Sequence, residues 1–207
     1  MDGVFIALAI IIAYLLGSIP SAYIVGRIQK DTDIRETGSR NMGAMNVFYS
    51  VGFWWGMLVL VADVGKGAAA MGIASALGVS EVVQFIVGVT AVLGHAFPVF
   101  LRFRGGKGGA TCIGVLSVLM PWGLPISIGI FFIFVLITRF PTLSYSISLI
   151  AFPSAGWFIH ERWELVAYSV GLLLIPLVRY IPRIREIRDK AGNWGRFFRR
   201  SSLKDRL

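Results

Sequence analysis

The segment 94–111 has the composition of a phosphate-binding loop. It joins two apolar runs and reads G-H-A-F-P-V-F-L-R-F-R-G-G-K-G-G-A-T, with four glycines around Lys107. Glycines allow backbone N–H groups to converge on an anion, the lysine adds a positive charge, and a helix beginning near Ala110 would add its positive end. We call residues 102–109 the glycine loop and predict that it binds a phosphate group. The alternative is a basic loop that only orients the protein in a membrane.

Single residues exclude two known motifs. A nucleotide-binding P-loop has Ser or Thr after its lysine, but Gly108 follows Lys107, and Leu101 stands where the first glycine should be. ATP binding is therefore not predicted. The H-x-x-x-x-D motif of one class of acyltransferases is also excluded, because Phe100 stands where Asp would follow His95.

A second set of polar side chains lies in the first polar loop, residues 27–50. Ser39, Asn41 and Asn46 supply short hydrogen-bonding groups there, and Arg40 can hold an anion with two parallel hydrogen bonds. These residues are therefore candidates for substrate binding. The alternative is an ordinary connecting loop rich in turn-forming residues.

Three ionisable residues lie inside apolar runs. Asp63 and Lys66 are three residues apart, so on a helix they share a face and can form an ion pair. His95 lies just before the glycine loop. Ionisable groups at membrane depth are rare and usually functional. The alternatives are a structural ion pair for Asp63 and Lys66, and a packed, hydrogen-bonded side chain for His95.

The composition is that of a membrane protein. Of 207 residues, 56% are apolar and only 15% are charged, which lies outside the usual range of soluble domains. The net charge of +9 is explained by positive cytoplasmic loops and anionic lipid, so nucleic acid is not a predicted partner. One cysteine and two distant histidines offer no metal site and no disulfide.

Prolines and charges divide the chain into apolar runs that are long enough to cross a membrane core of about 30 Å. The run 110–137 contains Pro121 and Pro125, so it forms either one kinked helix or two short ones. The runs cover residues 3–26, 52–78, 82–101, 110–137, a segment ending near 159, and 165–178. Close helix packing along the second run is expected at Gly52, Gly56, Gly65 and Gly72.

Charge predicts the number of crossings. If the chain reverses near Pro121, it crosses seven times, and 18 of the 20 lysine and arginine residues fall on one side. Cytoplasmic loops carry an excess of positive residues. We therefore predict an all-α bundle of about seven transmembrane helices, with the N-terminus outside and the basic C-terminus in the cytoplasm.

Two regions follow from this pattern. Residues 1–180 form a transmembrane helical domain that carries the site, and residues 181–207 form a basic amphipathic cytoplasmic tail. Ile181, Ile184 and Ile187 alternate with arginines in this tail, which is typical of helices that lie on anionic headgroups. A solvated basic tail is the alternative.

Three motifs together resemble the bacterial acyl-phosphate:glycerol-3-phosphate acyltransferases, the PlsY family. They are G-S-R-N-M-G-A-M-N at 38–46, D-V-G-K-G at 63–67 and L-G-H-A-F-P-V-F-L-R-F-R-G-G-K-G-G-A-T at 93–111. The resemblance is close from about residue 17 to residue 111. It implies transfer of a fatty acyl group from acyl phosphate to the 1-hydroxyl of glycerol 3-phosphate, giving lysophosphatidate in phospholipid biosynthesis. It also implies a multi-pass inner-membrane protein whose active site faces the cytoplasm.

The resemblance and the polar residues together suggest roles. The predicted phosphate-binding residues are Ser39, Arg40, Gly105, Gly106, Lys107, Gly108 and Thr111. The catalytic candidates are Asn41, Asn46, Lys66 and His95. Further possible site residues are Asp63, and Thr142 or Ser144, which stand near the place of a serine in the family.

The chain departs from the family pattern at several positions. The family usually has Gly where Arg40 stands, Thr at Met45 and Arg at Tyr49. We predict that Arg40 takes over the contact of the missing arginine. The third family motif, similar to R-H-R-E-N, reads R-Y-I-P-R at 179–183, so Tyr180 stands where the family has histidine.

The implied chemistry needs few catalytic groups. An acyl phosphate is an activated mixed anhydride, so the protein has mainly to hold two phosphates and align a hydroxyl with the carbonyl. No protein base, cofactor, metal or acyl carrier protein is predicted, and the partners are glycerol 3-phosphate, acyl phosphate and membrane lipids. Two alternatives are a transporter or channel for a small phosphorylated anion, and an inactive homologue that still binds substrate.

Overall fold

The computed structural model describes residues 3–191, and within them the chain is helical without any strand. This confirms the all-α prediction. A short 3-10 turn, Val99–Leu101, separates α5 from α6. The helices are α1 (Gly3–Ser18), α2 (Ser21–Lys30), α3 (Ala44–Ser50), α4 (Phe53–Ala76), α5 (Glu81–Ala96), α6 (Gly109–Leu119), α7 (Gly123–Thr138), α8 (Pro141–Ser148), α9 (Ala151–Phe158) and α10 (Trp163–Ala191).

The first apolar run is broken at Pro20, whereas the sequence predicts one uninterrupted span over residues 3–26. Proline cannot donate a backbone hydrogen bond and clashes with the preceding turn, so α1 ends before it and α2 begins after it. The carbonyl oxygen of Ile19, at the break, accepts a hydrogen bond from Lys66 Nζ at 3.0 Å. A side chain of α4 thus stabilises the interruption in the first span.

Four helical segments are long and apolar enough to cross a membrane, by length and composition: Gly3–Lys30, Phe53–Ala76, Glu81–Leu101 and Trp163–Glu186. The run 110–137 forms two helices, α6 and α7, which resolves the choice left open by its prolines. These helices have 11 and 16 residues, and α8 and α9 have 8 each, so none of them reaches the length of the four. The count of seven crossings therefore stays a prediction.

Close helix packing centres on α4, which contacts α1, α3, α5 and α6. Gly67 has no room for a side chain because the carbonyl oxygen of Thr111 in α6 lies against it, and Gly56 packs closely on α3. Gly65 and Gly72 have no atom within 4 Å of the place where a Cβ would stand. The expectation of close packing is therefore confirmed for Gly56 and wrong for Gly65 and Gly72.

The main hydrophobic core is shared by α1, α4, α5, α6, α9 and α10. A smaller cluster of buried side chains holds the first polar loop against α2 and α4. Its buried members are Ala22, Ile34, Met42, Val47 and Val59.

The last helix runs without a break past the predicted boundary between membrane domain and tail. α10 continues from Trp163 to Ala191, through Pro176 and Pro182. Residues 181–191 of the predicted tail are therefore helical and continuous with the last span. The rest of that tail, 192–207, lies outside the described residues.

Candidate active site

Three segments that are distant in sequence meet at one cavity of about 220 Å³. The first polar loop, the glycine loop and the C-terminal part of α10 each contribute to its wall. The lining residues are Ser39, Arg40, Asn41, Gly106, Lys107, Arg179, Pro182, Arg183 and Glu186. The first five are predicted site residues, and they are brought together as the sequence analysis expects.

Close packing shapes the glycine loop. A side chain at Gly106 would collide with the imidazole of His95 and lie 2.5 Å from the carbonyl oxygen of Met42. The Gly106 amide donates to the His95 carbonyl oxygen at 3.1 Å, so the fold itself uses this N–H. Gly108 adopts a φ of 95°, a conformation that favours glycine, and leads into α6. The helix therefore begins one residue before the predicted Ala110.

Arg179 fastens the glycine loop to α10 through backbone carbonyl oxygens. Its Nη2 donates to those of Ala96, Gly105 and Gly106 at 3.1, 3.1 and 3.0 Å, and its Nε donates to that of Gly106 at 3.2 Å. The guanidinium carbon also lies 4.7 Å from the ring centroid of Phe97. This positive charge therefore serves mainly to fix the loop.

Lys107 is the glycine-loop cation that reaches the cavity. Its Nζ lies 3.9 Å from the ring centroid of Tyr180, the residue that stands where the family has histidine. Burial, together with the positive charges of Arg183 and Arg179, lowers the pKa of Lys107 to about 8. A bound anion would therefore stabilise the protonated form of this side chain against the neighbouring arginines.

Asn46 organises the first polar loop from inside. It is 1% exposed, and its Nδ2 donates to the carbonyl oxygens of Ile34, Thr37 and Asn41 at 2.8 to 3.0 Å. Its Oδ1 accepts the amide of Ser39 at 3.0 Å. Because these bonds span the whole loop, Asn46 fixes the positions of Ser39 and Asn41 at the cavity.

Arg40 lies at the cavity with a backbone φ of 56°, in the left-handed region. This conformation favours glycine, which is what the family usually has here. The Nη2 atom of Arg40 lies 2.7 Å from Oε1 of Glu186 in α10. Tyr49, which stands at the place of the family's arginine, is not among the cavity-lining residues and packs edge-on against Phe48.

Asp63, Lys66 and His95 form a buried cluster beside the cavity, and none of the three lines it. Lys66 Nζ lies 2.8 Å from Asp63 Oδ1, and His95 Nδ1 lies 3.7 Å from the same oxygen. The predicted ion pair is therefore present. Through Ile19 and Gly106, the cluster touches both the break in the first span and the glycine loop.

Five other predicted site residues are not among those that line the cavity: Gly105, Gly108, Thr111, Thr142 and Ser144. Thr111 is fully buried in the first turn of α6, and Ser144 is fully buried in α8. The Ser144 hydroxyl donates to the carbonyl oxygen of Phe140 at 3.0 Å. Thr142 is half-buried in the first turn of α8. Their roles in substrate binding stay predictions.

Sequence reasoning missed four cavity residues, Arg179, Pro182, Arg183 and Glu186. Their signal is helical spacing: Arg179, Arg183 and Glu186 follow one another at intervals of four and three residues, which places them on one face of a helix. Because the region after residue 180 was interpreted as a basic interfacial tail, the helix face that packs against the two loops was not recognised.

The family of the chain follows from its match to a family model. The model described as glycerol-3-phosphate acyltransferase matches residues 7–190, which include all three segments of the cavity. The chain belongs to the glycerol-3-phosphate acyltransferase family. The resemblance seen in the three sequence motifs is thus confirmed, and it favours the acyltransferase over a transporter or channel.

Similar proteins cover nearly the whole chain. It is 50% identical over 206 residues to glycerol-3-phosphate acyltransferase 2 of Dehalococcoides mccartyi, covering 99% of this chain and 98% of that protein. It is 40% identical over 185 residues to the glycerol-3-phosphate acyltransferase of Bacillus subtilis, covering 89% and 95%. The membership therefore extends beyond the motifs to the complete bundle.

Two solved structures share the fold. Both are of PlsY, an integral membrane glycerol 3-phosphate acyltransferase, in its glycerol 3-phosphate form and its lysophosphatidic acid form. The first has a TM-score of 0.78 at 30% identity and covers 90% of this chain and 92% of that one. The second has a TM-score of 0.77 at 28% identity and covers 98% of each chain. The acyltransferase described here is therefore an integral membrane protein.

Proposed function

We propose that the chain transfers a fatty acyl group from acyl phosphate to the 1-hydroxyl of glycerol 3-phosphate and so makes lysophosphatidate for phospholipid synthesis. The observation that carries this proposal is the cavity in which Lys107, Arg40 and Arg183 converge with the polar groups of Ser39 and Asn41. Positive side chains around a small polar space suit phosphate groups. Family membership supplies the acceptor and the reaction class.

The reaction proceeds by direct acyl transfer. The oxygen of the acceptor hydroxyl attacks the acyl carbonyl carbon, the bond from that carbon to the phosphate oxygen breaks, and phosphate leaves with the electron pair. A phosphate oxygen takes the hydroxyl proton, so no protein base is needed. Because the donor is already activated, the cavity accelerates transfer mainly by holding both substrates in line.

The side chains divide into those that contact substrate and those that position the contacts. Lys107, Arg40 and Ser39 bind phosphate, and Asn41 lies beside the reacting atoms. Asn46 holds the first polar loop in shape, and His95 supports Gly106 from behind. Lys66 joins α4 to the first span, and Asp63 supplies its counter-charge. We therefore assign Asn46, Lys66 and His95 to positioning.

The protein lies in the inner membrane, and its cavity faces the cytoplasm. Support comes from charge, since 18 of the 20 lysine and arginine residues lie on the cavity side of the seven-span topology. Both polar substrates would then enter from water, and the acyl chain would remain in the bilayer beside exposed apolar residues of the bundle.

Purified chain incubated with radiolabelled glycerol 3-phosphate tests the proposal. We expect labelled lysophosphatidate with acyl phosphate, and none with acyl-CoA or without a donor. Equal product from acyl-CoA would contradict the proposed donor. No product with either donor, together with retained binding of glycerol 3-phosphate, would identify an inactive homologue.

A further inference from the structure

Glu186 bridges two arginines at the cavity. Its Oε1 lies 2.7 Å from Nη2 of Arg40, and its Oε2 lies 2.7 Å from Nη1 of Arg183. Arg40 belongs to the first polar loop, whereas Arg183 and Glu186 lie one turn apart on α10. The carboxylate therefore joins two parts of the cavity wall, because Glu186 and Arg40 are 146 residues apart in sequence.

The charge pattern makes this carboxylate exceptional among the cavity-lining residues. Four of them are cationic, Arg40, Lys107, Arg179 and Arg183, and only Glu186 is acidic. Arg179 already donates to loop carbonyl oxygens. The two arginines at Glu186 instead hold an anionic group with charge-assisted bonds, which is also how guanidinium groups hold phosphate.

We propose that Arg40 and Arg183 form a phosphate-binding subsite, and that Glu186 occupies it until the phosphate group of a substrate displaces the carboxylate. This inference rests on the proposed function, because both substrates of that reaction carry phosphate. Lys107 lines the same cavity and adds a third positive charge to it. Glu186 thus lowers the affinity of the subsite and offsets part of the positive charge of its two arginines when no phosphate is bound.

Arg183 is on this basis a specificity-determining residue of this chain. It stands at the last position of the R-Y-I-P-R segment 179–183, where the family motif has asparagine. A neutral amide and a guanidinium differ by a full charge, so the subsite needs a counter-ion that the family pattern does not need. Glu186, three residues along the same helix, supplies it.

Steady-state kinetics of full-length protein with Glu186→Gln, Arg183→Gln and the double variant test the subsite. Glu186→Gln keeps the side-chain shape and removes the competing charge, so KM for one phosphate substrate should fall roughly threefold to tenfold. Arg183→Gln should raise KM for the same substrate by a similar factor. In the double variant the gain from Glu186→Gln should disappear, because the arginine that the phosphate would bind is gone.

The identity of the affected substrate reveals which phosphate uses the subsite. A lower KM for glycerol 3-phosphate alone assigns it to the acceptor, and a lower KM for acyl phosphate alone assigns it to the donor. Asp189→Asn is the matched control, since Asp189 is an exposed acid on the same helix that pairs with Arg188. This control should leave both KM values unchanged.

Three results would overturn the proposal. Unchanged or higher KM values for both substrates in Glu186→Gln would mean that the carboxylate does not compete with phosphate. A collapse of kcat with unchanged KM would make Glu186 a proton acceptor instead. An equal change of KM in Asp189→Asn would show that the change in Glu186→Gln comes only from the altered net charge of the protein.

Direct binding of inorganic phosphate separates this proposal from the proposed function. The shift in thermal unfolding midpoint with phosphate concentration gives an apparent Kd without turnover. Glu186→Gln should bind phosphate more tightly than the unaltered protein, and Arg183→Gln more weakly. If the unaltered protein proves inactive, this order of affinities still supports the subsite, and its absence rejects it.

Discussion

At the scale of single residues, the charge of Lys107 is the property of the cavity most sensitive to pH. Burial lowers its pKa to about 8, with Arg183 and Arg179 contributing, so its protonated fraction falls as pH rises through the range 7 to 9. A phosphate monoester has its second pKa at about 6 and stays dianionic over that range. A change in phosphate affinity between pH 7 and 9 therefore reflects the protonation of Lys107 rather than that of the ligand.

We therefore expect KM for glycerol 3-phosphate to rise as the pH is raised from 7 to 9. Below pH 8 the lysine is mostly protonated and attracts the dianion. Above pH 8 this attraction is progressively lost, and its full loss costs about 1.5–3 kcal/mol of binding, which is a tenfold or larger rise in KM. Lys107→Arg keeps its charge and should show a flat profile, while Lys107→Ala should have a high KM throughout. A flat profile for unaltered, folded enzyme would contradict the role of Lys107.

Arg40 carries the second prediction at this scale. Arg40→Ala should raise KM for glycerol 3-phosphate by roughly tenfold, because a charge-assisted bond at the cavity is lost. Arg40→Lys should recover only part of the affinity, since an ammonium cannot form the planar fork of a guanidinium. Tyr49→Phe is the control and should be mild, because Tyr49 does not line the cavity. Normal kinetics of Arg40→Ala would show that Arg40 only adds positive charge to the loop.

The residue types at the cavity were predictable from sequence, but their division of labour was not. Ser39, Arg40, Asn41, Gly106 and Lys107 all line it. Asn46, by contrast, was expected near the reacting atoms and is 1% exposed, with its amide occupied by loop carbonyl oxygens. Sequence reveals which groups can form hydrogen bonds, whereas burial and partners determine whether a substrate can reach them.

At the scale of helices and loops, the contact between α10 and the glycine loop positions Lys107. Arg179 makes this contact through the carbonyl oxygens of Ala96, Gly105 and Gly106. The Gly106 amide adds a bond to α5, so the loop is held from two sides. Movement of α10 would therefore move the lysine with it.

Arg179→Gln should destabilise the protein and weaken acceptor binding together. Loss of hydrogen bonds from a charged group costs about 1.5–3 kcal/mol of unfolding free energy, and a loosened loop should also raise KM for glycerol 3-phosphate. Thermal unfolding in detergent and steady-state kinetics provide the two measurements. The control is Arg185→Gln, because Arg185 is exposed on the same helix. Equal stability of the two variants would refute the role of Arg179.

Helix boundaries were predictable only in part. Pro121 follows the end of α6 as expected, because proline interrupts helices by a local rule, but the break at Pro20 was not predicted and α10 continues through Pro176 and Pro182. In α4 apolar residues lie on all sides, so the pattern does not indicate which face packs against other helices. Close contacts were predicted at Gly65 and Gly72, but Gly67 makes them instead. Which face of such a helix packs depends on its neighbours, and these are not encoded in its own periodicity.

At the scale of the whole molecule, the cavity and the basic residues are predicted to share the cytoplasmic side. Single cysteines introduced by Arg104→Cys and Arg188→Cys should resist a membrane-impermeant maleimide in sealed right-side-out vesicles, whereas Arg162→Cys should react. Arg104 and Arg188 are exposed, the Arg162 side chain is 41% exposed, and the native Cys112 is fully buried and should stay silent. Labelling of Arg104→Cys and Arg162→Cys from the same side would contradict the seven-span topology.

The bundle as a whole was predictable in class but not in its long-range contacts. Composition indicated a helical membrane protein. The distribution of lysine and arginine predicted that the first polar loop, the glycine loop and the end of the last helix share one side of the membrane. The pairing of Arg40 with Glu186 joins residues 146 positions apart, and no local pattern specifies such a pair. It arises from the docking of α10 against both loops.

The carbonyl contacts of Arg179 have an evolutionary consequence. Every amino acid supplies a backbone carbonyl, so the acceptors of Arg179 do not depend on particular side chains, although Gly105 and Gly106 leave no room for a Cβ. Neighbouring positions on α10 can then exchange residue types during descent while the glycine loop keeps its place. This chain has Tyr180 and Arg183 where the family motif has histidine and asparagine, and Arg179 beside them still holds the glycine loop in place.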